Sequence, residues 1–140
     1  MKTFSTAAAA AALMLTGTAA LADDHGMHAG VKAMDQSVAN GVVSAQQVMA
    51  PANGWLVVHR TDAAMKPGPV VGHAPLRKGE TMDVAAILTE EVKPGDMLML
   101  MVHGEGGGMQ TGVFEYTLGA KEDGPIKPGG KLVMDVITAK

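Results

Sequence analysis

Apolar residues in the chain beyond position 30 recur at every second position in short runs, which is the period of half-buried β-strands and not of helices. The clearest runs are residues 55–60, where Trp55, Val57 and His59 share one face, and residues 97–103, where one set of alternate positions is aliphatic. The same reasoning predicts further strands at residues 31–36, 41–49, 70–76, 81–88, 112–118 and 131–138. Residues 36–50 contain fair helix formers and are a helical alternative, but Gly41 and the β-branched pair Val42 and Val43 count against it.

The predicted strands are separated by short segments in which Pro, Asn and Gly stand where a tight turn needs them. Examples are residues 51–54, 66–69, 93–96 and 127–130. Short strands at this spacing are typical of an all-β fold, and we expect an antiparallel two-sheet sandwich of seven to eight strands. The sandwich domain is predicted to span residues 31–140.

The first 22 residues have the pattern of a secretory signal peptide. Lys2 supplies the positive start, residues 7–15 form an apolar run, and residues 20–22 form an A-x-A cleavage site. The apolar run is too short to cross a bilayer. We therefore expect cleavage after Ala22, a flexible tail at residues 23–30, a periplasmic or secreted location, and no membrane span in the mature chain.

Composition narrows the range of partners. Without Lys2, ten basic side chains face fourteen acidic ones, and no cluster of Lys or Arg occurs, so a nucleic-acid partner is not expected. The chain contains no Cys, which excludes disulfides, thiolate zinc sites and a blue-copper centre with two His and one Cys.

Residues 97–103 carry the chemistry that stands out. Leu98, Leu100 and Val102 fall on one side of the predicted strand, and a row of methionines ending in His103 falls on the other. Thioethers and imidazoles are the ligand types that suit copper. Methionine is also an ordinary core filler, and the ten methionines beyond the signal are dispersed, so core packing is the preferred interpretation for Met97 and Met99.

His59 and His103 are the principal candidates for a metal site, because each ends a strand and both could meet at one end of the sandwich. His73 could add a third imidazole, Met101 or Met109 an axial thioether, and Glu105 an acceptor that orients one of the rings. Copper fits this set better than zinc, because no carboxylate is evident as a third ligand. The alternative is that each His packs at its strand end and hydrogen bonds to a nearby carbonyl.

The tail offers a second candidate site for copper. Cleavage after Ala22 would leave His25 as the third residue, where the free amine, two backbone amides and an imidazole form a square-planar set typical of Cu(II) or Ni(II). The further candidate ligands of this segment are Asp23, Asp24, Met27 and His28. The alternative is an acidic stub left by signal cleavage.

Enzyme motifs are incomplete in this chain. His103 and Glu105 have the H-x-E spacing of zinc deaminases without their cysteines, and residues 103–108 lack a nucleophile elbow or the Lys of a phosphate-binding loop. Asp123, Gly124 and Pro125 read as a turn, with a carboxylate at the rim of the site as the alternative. We therefore expect no enzymatic activity.

Several segments together resemble a family of exported archaeal and bacterial domains of unknown function. They are W-L-V-V-H at residues 55–59, G-P-V-V-G at 68–72, L-M-V-H-G-E-G at 100–106, F-E-Y at 114–116 and D-G-P at 123–125. The resemblance covers residue 31 to the C-terminus and implies export and a cupredoxin-like or immunoglobulin-like sandwich, with no established activity. The resulting expectation is an exported metal-binding protein, with copper as the metal. The alternative is a metal-free structural or protein-interaction module that contacts another envelope protein.

Overall fold

The computed structural model describes residues 28–140 and contains an all-β fold. Its strands are β1 (Gly30–Lys32), β2 (Val42–Ala50), β3 (Gly54–Thr61), β4 (Val70–Leu76), β5 (Gly79–Leu88), β6 (Met97–Gly104) and β7 (Met134–Thr138). One short 3₁₀ turn, Pro128–Gly130, precedes β7. Residues 36–50 follow the strand interpretation over most of their length, and the predicted all-β class is confirmed.

The seven strands form one antiparallel sheet in the order β1-β2-β5-β4-β3-β6-β7. The two ends of this sheet approach each other: Ala33 N donates to Asp135 Oδ2 at 2.9 Å, and Lys140 N donates to Gln36 O at 2.9 Å. The two layers expected of a sandwich are therefore two sides of one nearly closed sheet. Closure leaves few unpaired strand edges and encloses a single core.

The core inside the curled sheet is aliphatic and contains the predicted inward row of β6. Leu98, Leu100 and Val102 pack there with Leu56 and Val58 of β3, and all five are fully or almost fully buried. β3 and β6 are neighbours over eight residue pairs, from Gly54–Gly104 to Thr61–Met97. This long ladder positions His59 and His103, the principal candidates for a metal site.

The outer face of the same two strands is also buried, although period-2 alternation ordinarily predicts one wet face. It carries Trp55, Val57 and His59 from β3 and Met99, Met101 and His103 from β6, and each is at most 6% exposed. The long connection between β6 and β7 supplies the cover. We call residues 105–126 the covering segment.

The covering segment differs from the sequence-based prediction. Residues 112–118 were expected to form a strand, because Phe114 and Tyr116 alternate with polar residues, but they form turns and irregular backbone. Their aromatic rings face the outer side of β3 and β6, where Tyr116 lies 4.5 Å from the ring of His103. Alternation here reflects packing against one sheet face and not membership of the sheet.

The bounds of β1 and β7 also differ from the predicted ranges 31–36 and 131–138. β1 begins at Gly30 and ends at Lys32, because the chain then crosses to β7, and β7 begins only at Met134. No helix among residues 28–140 has the length and hydropathy needed to cross a membrane.

Candidate metal centre

His59 and His103 meet on the outer face of the sheet. Their Nε2 atoms lie 3.2 Å apart, and the two side chains are 0% and 1% exposed. In the ladder His59 is opposite Met99, whereas His103 is opposite Trp55. The two residues are thus four register positions apart, about 13 Å along the strands, so each ring must lean towards the other across Val57 and Met101.

Each imidazole is held at its other nitrogen by a backbone carbonyl. His59 Nδ1 donates to Gly68 O at 2.8 Å, and His103 Nδ1 donates to Asp123 O at 2.7 Å. A carbonyl oxygen can only accept, so both Nδ1 atoms must carry the hydrogen. In the neutral state both Nε2 atoms are then bare, and two nitrogen lone pairs face each other at 3.2 Å.

The backbone around His59 is shaped to provide its carbonyl partner. The pairing of β3 with β4 slips by one residue between Val58 and His59, a β-bulge of the kind that re-aims a side chain. Arg60 O then accepts a hydrogen bond from Gly68 N at 2.7 Å. A Cβ on residue 68 would stand 2.7 Å from Arg60 O, so only glycine allows this close approach.

Burial determines the charge of the pair. Removal from water lowers the pKa of His59 below its ordinary value, against the opposing effect of the Gly68 carbonyl. The same burial lowers the pKa of His103 to about 4, although the Asp123 carbonyl and the charge of Asp123 act in the opposite direction. Burial therefore favours the neutral form of both rings.

Aromatic rings close the site from outside. Tyr116, which is 8% exposed, stands edge-on to His103 at 82° and lies 5.8 Å from the ring of His59. Phe114 lies 6.5 Å from His103 and 5.5 Å from Trp55. This wall, together with the near-complete burial of both histidines, keeps water from the two Nε2 atoms, which contact each other.

The arrangement has the features of a metal-ligand pair. Ligating histidines usually donate their second ring N–H to a carbonyl or carboxylate, as both rings do here. With metal–nitrogen bonds of about 2.0–2.1 Å, a 3.2 Å separation corresponds to a nitrogen–metal–nitrogen angle of about 100–106°, close to tetrahedral. Among residues 28–140 no group of three or more His, Asp or Glu side chains could hold a metal.

A family model described as Domain of unknown function (DUF7282) matches residues 29–140. The chain belongs to the DUF7282 family. This match confirms the expected membership of a family of unknown function with a β-rich fold. Searches of curated proteins and of solved structures each found no match.

Within this DUF7282 domain the structure brings together two of the predicted metal ligands, with Met101 on the same buried face between them. Their meeting point differs from the expected end of the sandwich: β3 and β6 are antiparallel neighbours, so their last residues lie at opposite ends of the ladder. The rings meet over the middle of a sheet face, under the covering segment.

Other predicted residues lie elsewhere. His73 is exposed and stacks on Phe114 at 4.2 Å, and Met109 is 94% exposed. Glu105 lines a surface cavity with Trp55 and Arg77, and backbone carbonyls occupy the orienting role expected of it. His28 is exposed beside β1. Residues 1–22, Asp23, Asp24, His25 and Met27 lie outside the described residues.

Asp123 is the residue whose importance the sequence did not reveal. It is 1% exposed, and its carboxylate accepts hydrogen bonds from Gly106 N and Glu115 N, both at 2.9 Å. Its backbone oxygen holds His103, and its φ of 44° lies in the left-handed region, which Asp and Asn tolerate better than most residues. Asp123 thus connects the covering segment internally and also orients the imidazole of His103. The D-G-P motif signals the turn but not these contacts.

Replacing Asp123 with Asn is expected to lower the free energy of unfolding by about 2 kcal/mol, because an amide NH₂ would face one of the two N–H donors that the carboxylate now satisfies. Asn keeps the left-handed backbone, so strain does not contribute. Urea unfolding measures the change. Glu122→Gln removes a charge at the neighbouring exposed position, and an equal loss in that variant would contradict the assignment.

Proposed function

We propose that this protein is an exported metal-binding protein that binds or transfers copper and does not catalyse a reaction. The observation that carries the proposal is the pair of buried Nε2 atoms at 3.2 Å, both bare because both Nδ1 atoms donate to carbonyls. Two facing lone pairs in a dry site repel each other, whereas a cation between them is attracted by both. Export and a cupredoxin-like relationship, which the leader and the motifs suggest, belong to the same proposal.

Copper is preferred because of the donors that share the buried face. Met99 lies directly opposite His59 in the ladder, and Met101 lies opposite Val57, between the two histidines. Both methionines are 0% exposed. Imidazole with thioether suits copper, whereas Mg²⁺ and Ca²⁺ require oxygen ligands.

A copper titration of the full-length protein tests this function. The pair is expected to bind one ion, and the binding should be lost in His59→Asn and in His103→Asn. Asn places an N–H donor near the position of Nδ1 and has no counterpart of Nε2, so the variants keep the carbonyl contact and lose only the ligand. Retained far-UV circular dichroism establishes that they fold.

His73→Asn is the matched control, because it removes an exposed imidazole of the neighbouring strand. Its copper stoichiometry should equal that of the wild type. Metal analysis of protein purified from its native source identifies the ion that the site holds in the cell. Equal copper binding by wild type, His59→Asn and His103→Asn would overturn the proposal.

The tail is proposed as a separate Cu(II) site. If the leader is removed after Ala22, His25 becomes the third residue and supplies the imidazole of a four-nitrogen set. His25→Ala is expected to weaken Cu(II) binding by the processed protein, which a titration followed by visible absorption measures. Mass spectrometry of the N-terminus establishes where cleavage falls, and identical titrations of both proteins would contradict this second site.

A metal-free structural or interaction module is the other candidate function, in which the protein would contact another envelope protein. Exposed apolar side chains on β5 favour it, since Ile87 is 73% and Met82 56% exposed. In this case the two imidazoles would be a buried polar pair with a packing role. The titration separates the candidates, because a packing role predicts a change in stability without a change in copper stoichiometry.

A further inference from the structure

We propose that the His59–His103 site selects a monovalent soft cation, Cu(I), over Cu(II) and Zn(II). This inference rests on the proposed function and adds the charge state of the ion. It follows from three properties of the buried face: the charge of its donors, the single carboxylate beside it, and the chemistry of the thioethers.

The donors that face the site are neutral. Both imidazoles point bare nitrogens at each other, and the buried side chains that share their face are Met99, Met101, Val57 and Trp55. The cost of moving an ion out of water rises with the square of its charge, so a divalent ion costs about four times as much as a monovalent one. Neutral ligands offset this cost for one charge far better than for two.

One buried negative charge adjoins the pair. Asp123 holds His103 through its backbone oxygen, while its carboxylate oxygens are occupied by Gly106 N and Glu115 N. The carboxylate therefore contributes charge and is not available as a ligand. Among residues 28–140 no basic side chain forms an ion pair with it. A monovalent cation would bring the buried region to neutrality, whereas a divalent ion would leave one uncompensated positive charge.

The aromatic wall excludes water and supplies no anionic ligand, and this also favours Cu(I). Tyr116 stands edge-on to His103, and its hydroxyl accepts a long hydrogen bond from Gly119 N at 3.4 Å. We interpret Tyr116 as a lid that excludes water and not as an anionic ligand. Zn(II) and Cu(II) sites usually include a carboxylate, thiolate or water, whereas thioethers select Cu(I).

The test compares the two oxidation states in one protein. Protein processed after Ala22 and carrying His25→Ala, which lacks the proposed tail site, is titrated anaerobically with Cu(I) against a chromophoric Cu(I) chelator. Parallel titrations use Cu(II) and Zn(II) with chelators for those ions. Cu(I) is expected to bind at least about 100-fold more tightly than either divalent ion. The protein should bind one equivalent of Cu(I). This binding should be lost when His103→Asn is introduced into the same protein.

Substitution of the thioethers tests the donor set. Met101→Leu and Met99→Leu conserve volume and should leave the fold intact, and the double variant is expected to lower Cu(I) affinity about tenfold or more. Met109→Leu, at an exposed position, should leave it unchanged. An unaltered Cu(I) affinity in the double variant would overturn the thioether contribution.

The outcomes separate this inference from the proposed function. If Cu(II) or Zn(II) binds as tightly as Cu(I), and that binding disappears in His103→Asn, the site is a metal site and its selectivity for a monovalent ion is overturned. If no ion binds in a manner that depends on His103, the proposed function itself fails. Tight Cu(I) binding that depends on both histidines and on the methionines supports both.

Discussion

Saturation of the protein with Cu(I) is expected to raise the midpoint of thermal unfolding by about 15 °C. A ligand present at 1,000 times its dissociation constant, and bound only by the folded state, stabilises that state by about 4 kcal/mol. For a domain of this size each kcal/mol corresponds to about 4 °C. The folded state alone brings the two imidazoles together, because His59 and His103 are 44 residues apart in sequence.

Differential scanning calorimetry under anaerobic conditions measures this shift. His59→Asn and His103→Asn should show no increase with Cu(I), whereas His73→Asn should respond like the wild type. The proposed tail site should not contribute to this shift, because its four-nitrogen set uses only the consecutive residues 23–25 and requires no tertiary fold, so a metal bound there should stabilise both states alike. An equal increase in His103→Asn, or none in the wild type, would contradict a metal site at the pair.

Local periodicity predicted the strands well, because a period of two depends only on neighbouring residues. The alternation in β6 assigned Leu98, Leu100 and Val102 to one face and Met99, Met101 and His103 to the other, and both faces are found as predicted. It also placed His59 on an apolar face of β3. Periodicity identifies the face on which a side chain stands, but not which strands are neighbours.

The parts that the sequence did not predict depend on contacts between distant residues. Strand order places β6 beside β3, so the histidines meet in the middle of a face and not at an end. The curling of one sheet depends on contacts such as that of Ala33 with Asp135, 102 residues apart. Residues 112–118 alternate like a strand because one side packs on the sheet. Asp123 resembled any turn aspartate, since nothing local distinguishes a carboxylate that binds two distant amides.

The metal-free protein is expected to lose stability on acidification between pH 7 and pH 4.5. Burial lowers the pKa of both histidines in the folded state, and that of His103 to about 4, whereas in the unfolded chain each should titrate near the ordinary value of about 6.5. The unfolded state therefore binds more protons in this window, and stability rises with pH. The contribution is complete above about pH 6.5 and is lost as the pH falls towards the folded pKa. His103 alone should account for a loss of roughly 2–3 kcal/mol at pH 4.5.

The sign of this dependence decides between two states of the pair. If the two Nε2 atoms shared a proton in the folded protein, the folded state would hold more protons than the unfolded chain near pH 7, and mild acid would stabilise it. Urea unfolding of chelator-treated protein at pH 7.5, 6.0 and 4.5 measures the slope. The titratable groups that face His103 are His59, Tyr116 and Asp123. The His103→Asn variant isolates the contribution of His103 and should show a flatter dependence of stability on pH. The control variant His73→Asn should retain most of the wild-type slope. If stability increases as the pH falls from 7.5 to 6.0, the two Nε2 atoms share a proton. The observation of two facing lone pairs, which supports the metal site, would then no longer hold.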